Sequence, residues 1–151
     1  MRRLLRDVQV QGDQEGLKAV RSEESGVRWK DMEKPHKKLN VWKSSVELVM
    51  EIYSITKAFP EQEKYCLVSQ MNRAAISIPS NIAEGAARTT RKEFMQYSHI
   101  AQGSISELDT HLEIAKRLNY VTEDRVSSLD VRMEKIDKML TGLIKHQSPH
   151  S

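Results

Sequence analysis

The chain has 151 residues and a formal net charge of +3, with 38% hydrophobic, 30% charged and 5% aromatic residues and a mean hydropathy of −0.59. Scarce Gly, Pro and aromatic residues argue against an all-β sandwich. No 18-residue apolar run exists to span a membrane, and the single Cys66 excludes an internal disulfide and a cysteine-built zinc site.

Residues 1–35 show no sustained apolar period and contain Gly12, Gly16 and Gly26 among charges of both signs. They read as a flexible, disordered or weakly ordered basic arm. Residues 1–38 hold ten basic and seven acidic residues, whereas residues 39–151 hold fourteen of each, so the net charge resides in the leading segment. The first residues are basic but no apolar stretch follows them, which is not the pattern of a secretory signal; the expected compartment is the cytoplasm. Met32 begins a stretch that would serve as a natural start, so residues 1–31 read as a possible upstream extension.

A first helix is expected after Asn40 as N-cap, with Val41, Trp42, Val46, Val49, Ile52, Tyr53 and Thr56 on its apolar face, ending before Phe59-Pro60. A second should start within residues 61–64 and carry Leu67, Met71, Ala74, Ala75, Ile78 and Ile82. Pro79 interrupts this stripe. A kink with continuation to a C-terminal Gly85 is the favoured reading, because Ile78 and Ile82 stay in phase; a break with Ser77 or Ser80 capping a new helix is the alternative. A third helix opens with capping-box spacing at Thr90 and Glu93. Its stripe is Phe94, Tyr97, Ala101, Ser104 or Ile105, Leu108, His111 or Leu112, Ala115 and Leu118, with Asn119 as a left-handed cap. A fourth opens at Thr122 and repeats Val126, Leu129, Met133, Ile136, Leu140 and Leu143 at alternating spacings of three and four. Four amphipathic helices with short connections define an all-α, antiparallel up-down four-helix bundle over residues 36–147, with a frayed tail at 148–151.

Gln70, Arg73, Ser77, Asn81, Glu84 and Arg88 fall on one ridge of the second helix. The ridge reads as a structural polar network in which Ser77 and Asn81 satisfy carbonyls freed by Pro79 and Glu84 pairs with Arg88 or Arg73. The competing reading is an anion surface on Arg73 and Arg88. A di-iron bundle site needs Glu-x-x-His motifs on two helices, and no predicted helix holds one. Glu107 and His111, four apart, form an ordinary helix pair. No metal, cofactor or small-molecule substrate is expected. Cys66 reads as a small core residue, no Gly-rich phosphate loop occurs, and an enzyme is not expected. Of the candidate stacking aromatics, Trp42, Tyr53, Phe94 and Tyr97 fall in phase with core stripes, while Tyr120 stays open as a stacking platform.

The segments LNVWKSSVELVMEIYSITKAFP (39–60), EKYCLVSQMNRAAISIPSNIAEGAAR (63–88), KEFMQYSHIAQGSISELDTHLEIAKRLNY (92–120) and KIDKMLTGLI (135–144) resemble the four-helix-bundle proteins encoded by intervening sequences of 23S ribosomal RNA genes. The resemblance spans roughly seventy per cent of the chain in matching order, with SIPSNIAEG-x-x-R and IAQGSISEL as its most specific parts. It implies a ring-shaped homopentamer and kinship with the accessory protein of diversity-generating retroelements, a pentamer that binds a reverse transcriptase and structured RNA. Two functions follow as expectations: a non-catalytic oligomeric adaptor that contacts structured RNA or an RNA-handling enzyme such as a reverse transcriptase, or a protein-binding scaffold oligomer with no nucleic-acid role. For an RNA contact, the candidate residues are Arg88, Arg91 and Lys92, on the exposed connection and helix start between the second and third helices. Leu48, Met50, Ile100 and Ile114 lie outside the predicted stripes and are the expected subunit-facing excess.

Overall fold

The computed structural model describes residues 28–147 and divides into two units, residues 1–34 and residues 35–151. The expected arm falls outside the described residues up to residue 27, and the expected tail at 148–151 does so entirely. In the first unit the described residues make one 3-10 turn, Trp29–Asp31, with the Lys34 ammonium 5.0 Å from the centre of the Trp29 ring.

The second unit begins with a 3-10 turn, Pro35–Lys38, followed by α1 (Asn40–Thr56), α2 (Leu67–Ala86), α3 (Arg91–Arg117) and α4 (Glu123–Gln147). Consecutive helices pack side by side, and α4 returns against α1, so the four helices stand at the corners of a bundle. Cross-helix bonds fix the antiparallel register. Thr56 Oγ1 lies 3.1 Å from Asn72 Oδ1, Ser77 Oγ lies 2.8 Å from Ser104 Oγ, Gln102 donates to Asp137 and Thr141, and Arg132 reaches Glu51 at 3.1 Å. Among the described residues no helix is long and apolar enough to cross a membrane.

α4 carries its predicted seam: Val126, Leu129, Met133, Ile136 and Leu140 are buried and Leu143 packs against them. α3 keeps its predicted start and stop. The Glu93 N–H donates to Thr90 Oγ1 at 3.2 Å, and Asn119 adopts φ 61°, the left-handed conformation that asparagine tolerates. Leu118, however, is 48% exposed, because it lies past the last helical turn.

α1 departs from the expected register. Its buried face is Val41, Ser45, Leu48, Ile52 and Thr56, while Tyr53 is exposed and Val46 only half-buried. Two of the buried positions are hydroxyl residues, of which Ser45 lies outside the expected face. Ser45 donates to the Trp42 carbonyl at 2.7 Å and Thr56 to the Tyr53 carbonyl at 3.2 Å, so both can be buried without an unsatisfied polar atom. The predicted stripe includes Thr56 but omits Ser45 and so misplaces Leu48, which is fully buried rather than subunit-facing. Asn40 is the first helical residue, and Leu39 stands at the cap position without a side-chain bond.

α2 also starts later than expected. Glu61–Glu63 form a 3-10 turn, and the helix proper begins at Leu67, whose N–H donates to the Glu63 carboxylate at 3.3 Å. Cys66, just before it, is exposed rather than in the core. The helix runs unbroken through Pro79, which excludes the break. It also runs past Gly85, which is helical rather than a left-handed cap. A Cβ built on Gly85 would stand 3.0 Å from the Tyr97 Cβ and 3.5 Å from the Phe94 carbonyl oxygen. The glycine therefore serves the close approach of α2 to α3.

Candidate nucleic-acid interface

The ridge on α2 splits into three parts. Its centre is a bonded network: the Asn81 amide donates to the Ser77 carbonyl at 2.8 Å and to Ser77 Oγ at 2.9 Å, Ser77 Oγ meets Ser104 Oγ, and Ser104 Oγ reaches the Ile100 carbonyl at 3.1 Å. The network spans the turn that holds Pro79 and ties it to α3, where the missing proline N–H weakens the backbone ladder.

Further along, Arg88 donates to Glu84 at 2.9 Å and to the Tyr97 hydroxyl at 2.7 Å, with its guanidinium 4.7 Å from the centre of the Tyr97 ring. Half-buried and held by a carboxylate, a phenol and a ring face, Arg88 clasps the end of α2 to the start of α3. Its position as an interface residue is therefore weaker than that of Arg91 and Lys92. Those two are exposed in the first turn of α3 and make no ion pair among the described residues. Gln70 and Arg73 stand outside the network: both are exposed, and two or more turns of helix, at least about 12 Å, separate them from Asn81 and Glu84.

The antiparallel register brings further cations to the same end of the bundle. The Pro35–Lys38 turn packs on α1 and α2, so Lys37 stands with Lys43 of α1, Arg91 and Lys92 of α3 and Lys145 of α4. All five are exposed and none has a carboxylate partner among the described residues. The acids of this end, Glu84 and Glu93, are engaged with Arg88 and Thr90. His36 stacks edge-on against half-buried Trp42 there, with ring centres 5.0 Å apart. The opposite end mixes acids with its bases: Glu61, Glu63, Glu123 and Asp124 stand there with Lys57 and Arg125, which are exposed and make no ion pair among the described residues. Glu113 pairs with Lys116 at 2.8 Å and Arg117 at 2.9 Å, and these bonds, Lys116 foremost, hold its carboxyl below the ordinary range. Lys64 lies 4.0 Å from Glu61. Positive charge thus exceeds negative at one end of the bundle, which the equal counts of basic and acidic residues over 39–151 conceal.

Tyr120 is not a free stacking platform. Its ring packs on Phe59 with centres 5.3 Å apart, its hydroxyl donates to Glu63 at 3.2 Å, and burial together with that carboxylate pushes the phenol up. Tyr53, exposed on α1, is equally not the core residue expected of it. His111 Nε2 lies 3.9 Å from Glu107, while its buried Nδ1 finds no partner among the described residues. No group of three or more His, Cys, Asp or Glu able to hold a metal occurs among the described residues.

Comparison with known proteins adds family context to this geometry. A family model described as 23S rRNA-intervening sequence protein matches residues 37–142. Among solved structures, the chain is similar to a crystal structure of a protein of unknown function from the S23 ribosomal protein family of Bacteroides thetaiotaomicron. The two are 28% identical over 70% of this chain and 98% of that one, with a TM-score of 0.65. No curated protein matches the chain.

Proposed function

The chain belongs to the 23S rRNA-intervening sequence protein family, and from that membership and the charge layout we propose that it is a non-catalytic, homo-oligomeric adaptor that grips structured RNA by one end of its bundle. The observation that carries this reading is the set of exposed cations at that end with no carboxylate partner among the described residues, Lys37, Lys43, Arg91, Lys92 and Lys145, against the other end, where Glu61, Glu113, Glu123 and Asp124 stand among the bases. Phosphate is the ligand such a surface suits: lysine and arginine displace condensed counterions, and the N–H groups at the start of α3 add a favourable dipole beside Arg91 and Lys92. The family name supports RNA over other polyanions by the setting of the genes alone. A ring of five copies, implied by the resemblance, would repeat the cluster around an axis and multiply weak contacts.

The direct test is binding of the full chain to a folded ribosomal RNA fragment across a salt series. The expected result is affinity that falls steeply with salt, with a slope set by several phosphate contacts. Absence of salt-dependent binding would replace this reading with that of a protein-binding scaffold.

A further inference from the structure

Two of the polar aromatic side chains are committed to partners. Tyr97 holds Arg88 by its hydroxyl and its ring face, and Tyr120 packs on Phe59 and bonds Glu63. Trp42, at the cation-rich end, is not committed in this way. Sequence periodicity places it on the apolar face of α1, but the buried face runs through Val41, Ser45, Leu48, Ile52 and Thr56 and leaves Trp42 beside it, half-buried. The body of the ring packs against the core, which holds it in place. Its indole N–H makes no hydrogen bond among the described residues, and the one buried polar side-chain atom without a partner there is His111 Nδ1, so the indole N–H reaches solvent. His36 meets the indole edge-on, with 63° between the planes and 5.0 Å between the centres. An edge covers less of a ring than a stacked face does. Lys37 follows His36 in the chain and Lys43 follows Trp42, and both are exposed without a carboxylate partner among the described residues.

We propose that Trp42, edged by His36, is a stacking seat for one unpaired nucleobase, so that the RNA gripped by this end of the bundle is a loop, bulge or single strand rather than an uninterrupted duplex. This deepens the proposed RNA reading and rests on it. The pairing of ring and charge carries the inference. A polyanion alone would need only the cations. A ring held rigid among them adds a contact that a phosphate cannot use and a base can. In a duplex the base faces are stacked on one another, and the deep groove of an A-form helix keeps its base edges from side chains, whereas unpaired nucleotides splay out and stack on aromatic residues. A base laid on the indole carries phosphates on both sides along its strand, and Lys37 and Lys43, the chain neighbours of the two rings, are placed to neutralise them. The open indole N–H supplies a donor at the edge of the seat for a base or phosphate oxygen. Because the ring is anchored in the core, little side-chain freedom is lost when a base settles on it. Every base has a π face, so the seat selects unpaired over paired nucleotides and not one base over another.

The chain holds two tryptophans, so Trp29→Phe leaves Trp42 as the sole indole emitter. The full-length Trp29→Phe protein is titrated with a single-stranded oligouridylate and with a blunt-ended RNA duplex of equal phosphate number, reading indole emission together with the anisotropy of the labelled RNA. The oligouridylate should bind and quench the emission along one and the same isotherm. The duplex should bind about five-fold more weakly or worse, without quenching. Adding Trp42→Leu keeps apolar bulk against the core but removes the π face. Oligouridylate affinity should then fall about five-fold or more, while duplex affinity and the salt slopes for both RNAs stay at the parent values, since no charge has changed. Trp42→Phe, with a smaller ring, should lose less than Trp42→Leu. Circular dichroism checks that the variants fold, and the quenching titration decides the matter without any change at position 42. Equal affinity for the two RNAs with no quenching would overturn the stacking seat and leave the cation-rich end standing as a phosphate surface. Failure of both RNAs to bind would overturn the RNA reading itself, and the seat with it.

Discussion

Gly85→Ala sets two opposed effects against each other inside one helix. Replacing a helical glycine by alanine ordinarily stabilises by about 1 kcal/mol, because the unfolded chain loses freedom and the helix gains propensity. At Gly85 the new methyl would stand 3.0 Å from the Tyr97 Cβ, which is anchored to the α3 backbone, and 3.5 Å from the Phe94 carbonyl oxygen. Neither neighbour is the free end of a flexible side chain, so α2 and α3 must separate by a few tenths of an ångström. Overpacking of this kind costs about 1–3 kcal/mol. The same separation stretches the Arg88–Tyr97 bond, which adds to the loss. The net expectation is destabilisation of about 1–2 kcal/mol, the steric cost outweighing the propensity gain. Gly142→Ala is the control, since Gly142 lies in α4 with nothing within 4 Å of a built Cβ. It should stabilise by up to about 1 kcal/mol. Urea unfolding of the two variants beside wild type reads both signs directly. Shifts of the same sign would refute the assignment of Gly85 to close helix contact.

Three further outcomes follow from the packing and the charges. Leu48→Ala should cost about 2–5 kcal/mol in chemical denaturation, as for a fully buried leucine, and Val46→Ala much less; the reverse order would restore the other register for α1. Arg88→Ala and Tyr97→Phe should be coupled by about 0.5 kcal/mol or more in a double-mutant cycle, and additivity would show the clasp to be idle. Burial first, then Asp109, pushes the Asp130 carboxyl up, so the folded state resists its ionisation and loses stability as pH rises through its titration. Asp130→Asn should therefore stabilise slightly at pH 7, by about 0.5 kcal/mol or less at this exposed site, and show no gain below pH ~4; melting curves at both pH values check the sign.

The architecture was legible because local signals agreed with each other. The α4 seam, the Thr90–Glu93 cap and the Asn119 stop each rest on one helix alone, and all three stand in the structure. The α1 register was not legible from apolar residues alone, since Ser45 takes a core position by bonding its own helix. A glycine near a helix end ordinarily is a cap, but the use of Gly85 is fixed by Tyr97, a neighbour in space rather than in sequence. The candidate interface was half legible. Arg91 and Lys92 could be named from their place at the start of a predicted helix, but Lys37, Lys43 and Lys145 join them only through the antiparallel register. Arg88 is near them in sequence, but its bonds to Glu84 and Tyr97 set it apart.

The most direct test of RNA recognition by one end of the bundle is a comparison of two double variants that each remove two exposed cations, Arg91→Ala with Lys92→Ala at the basic end and Lys64→Ala with Arg125→Ala at the opposite end. RNA affinity is measured for both across the same salt series. The first pair should weaken binding and reduce the salt slope by about one to two, whereas the second should leave both within error of wild type. Equal losses from the two pairs would contradict a localised site and leave only diffuse attraction to the whole surface.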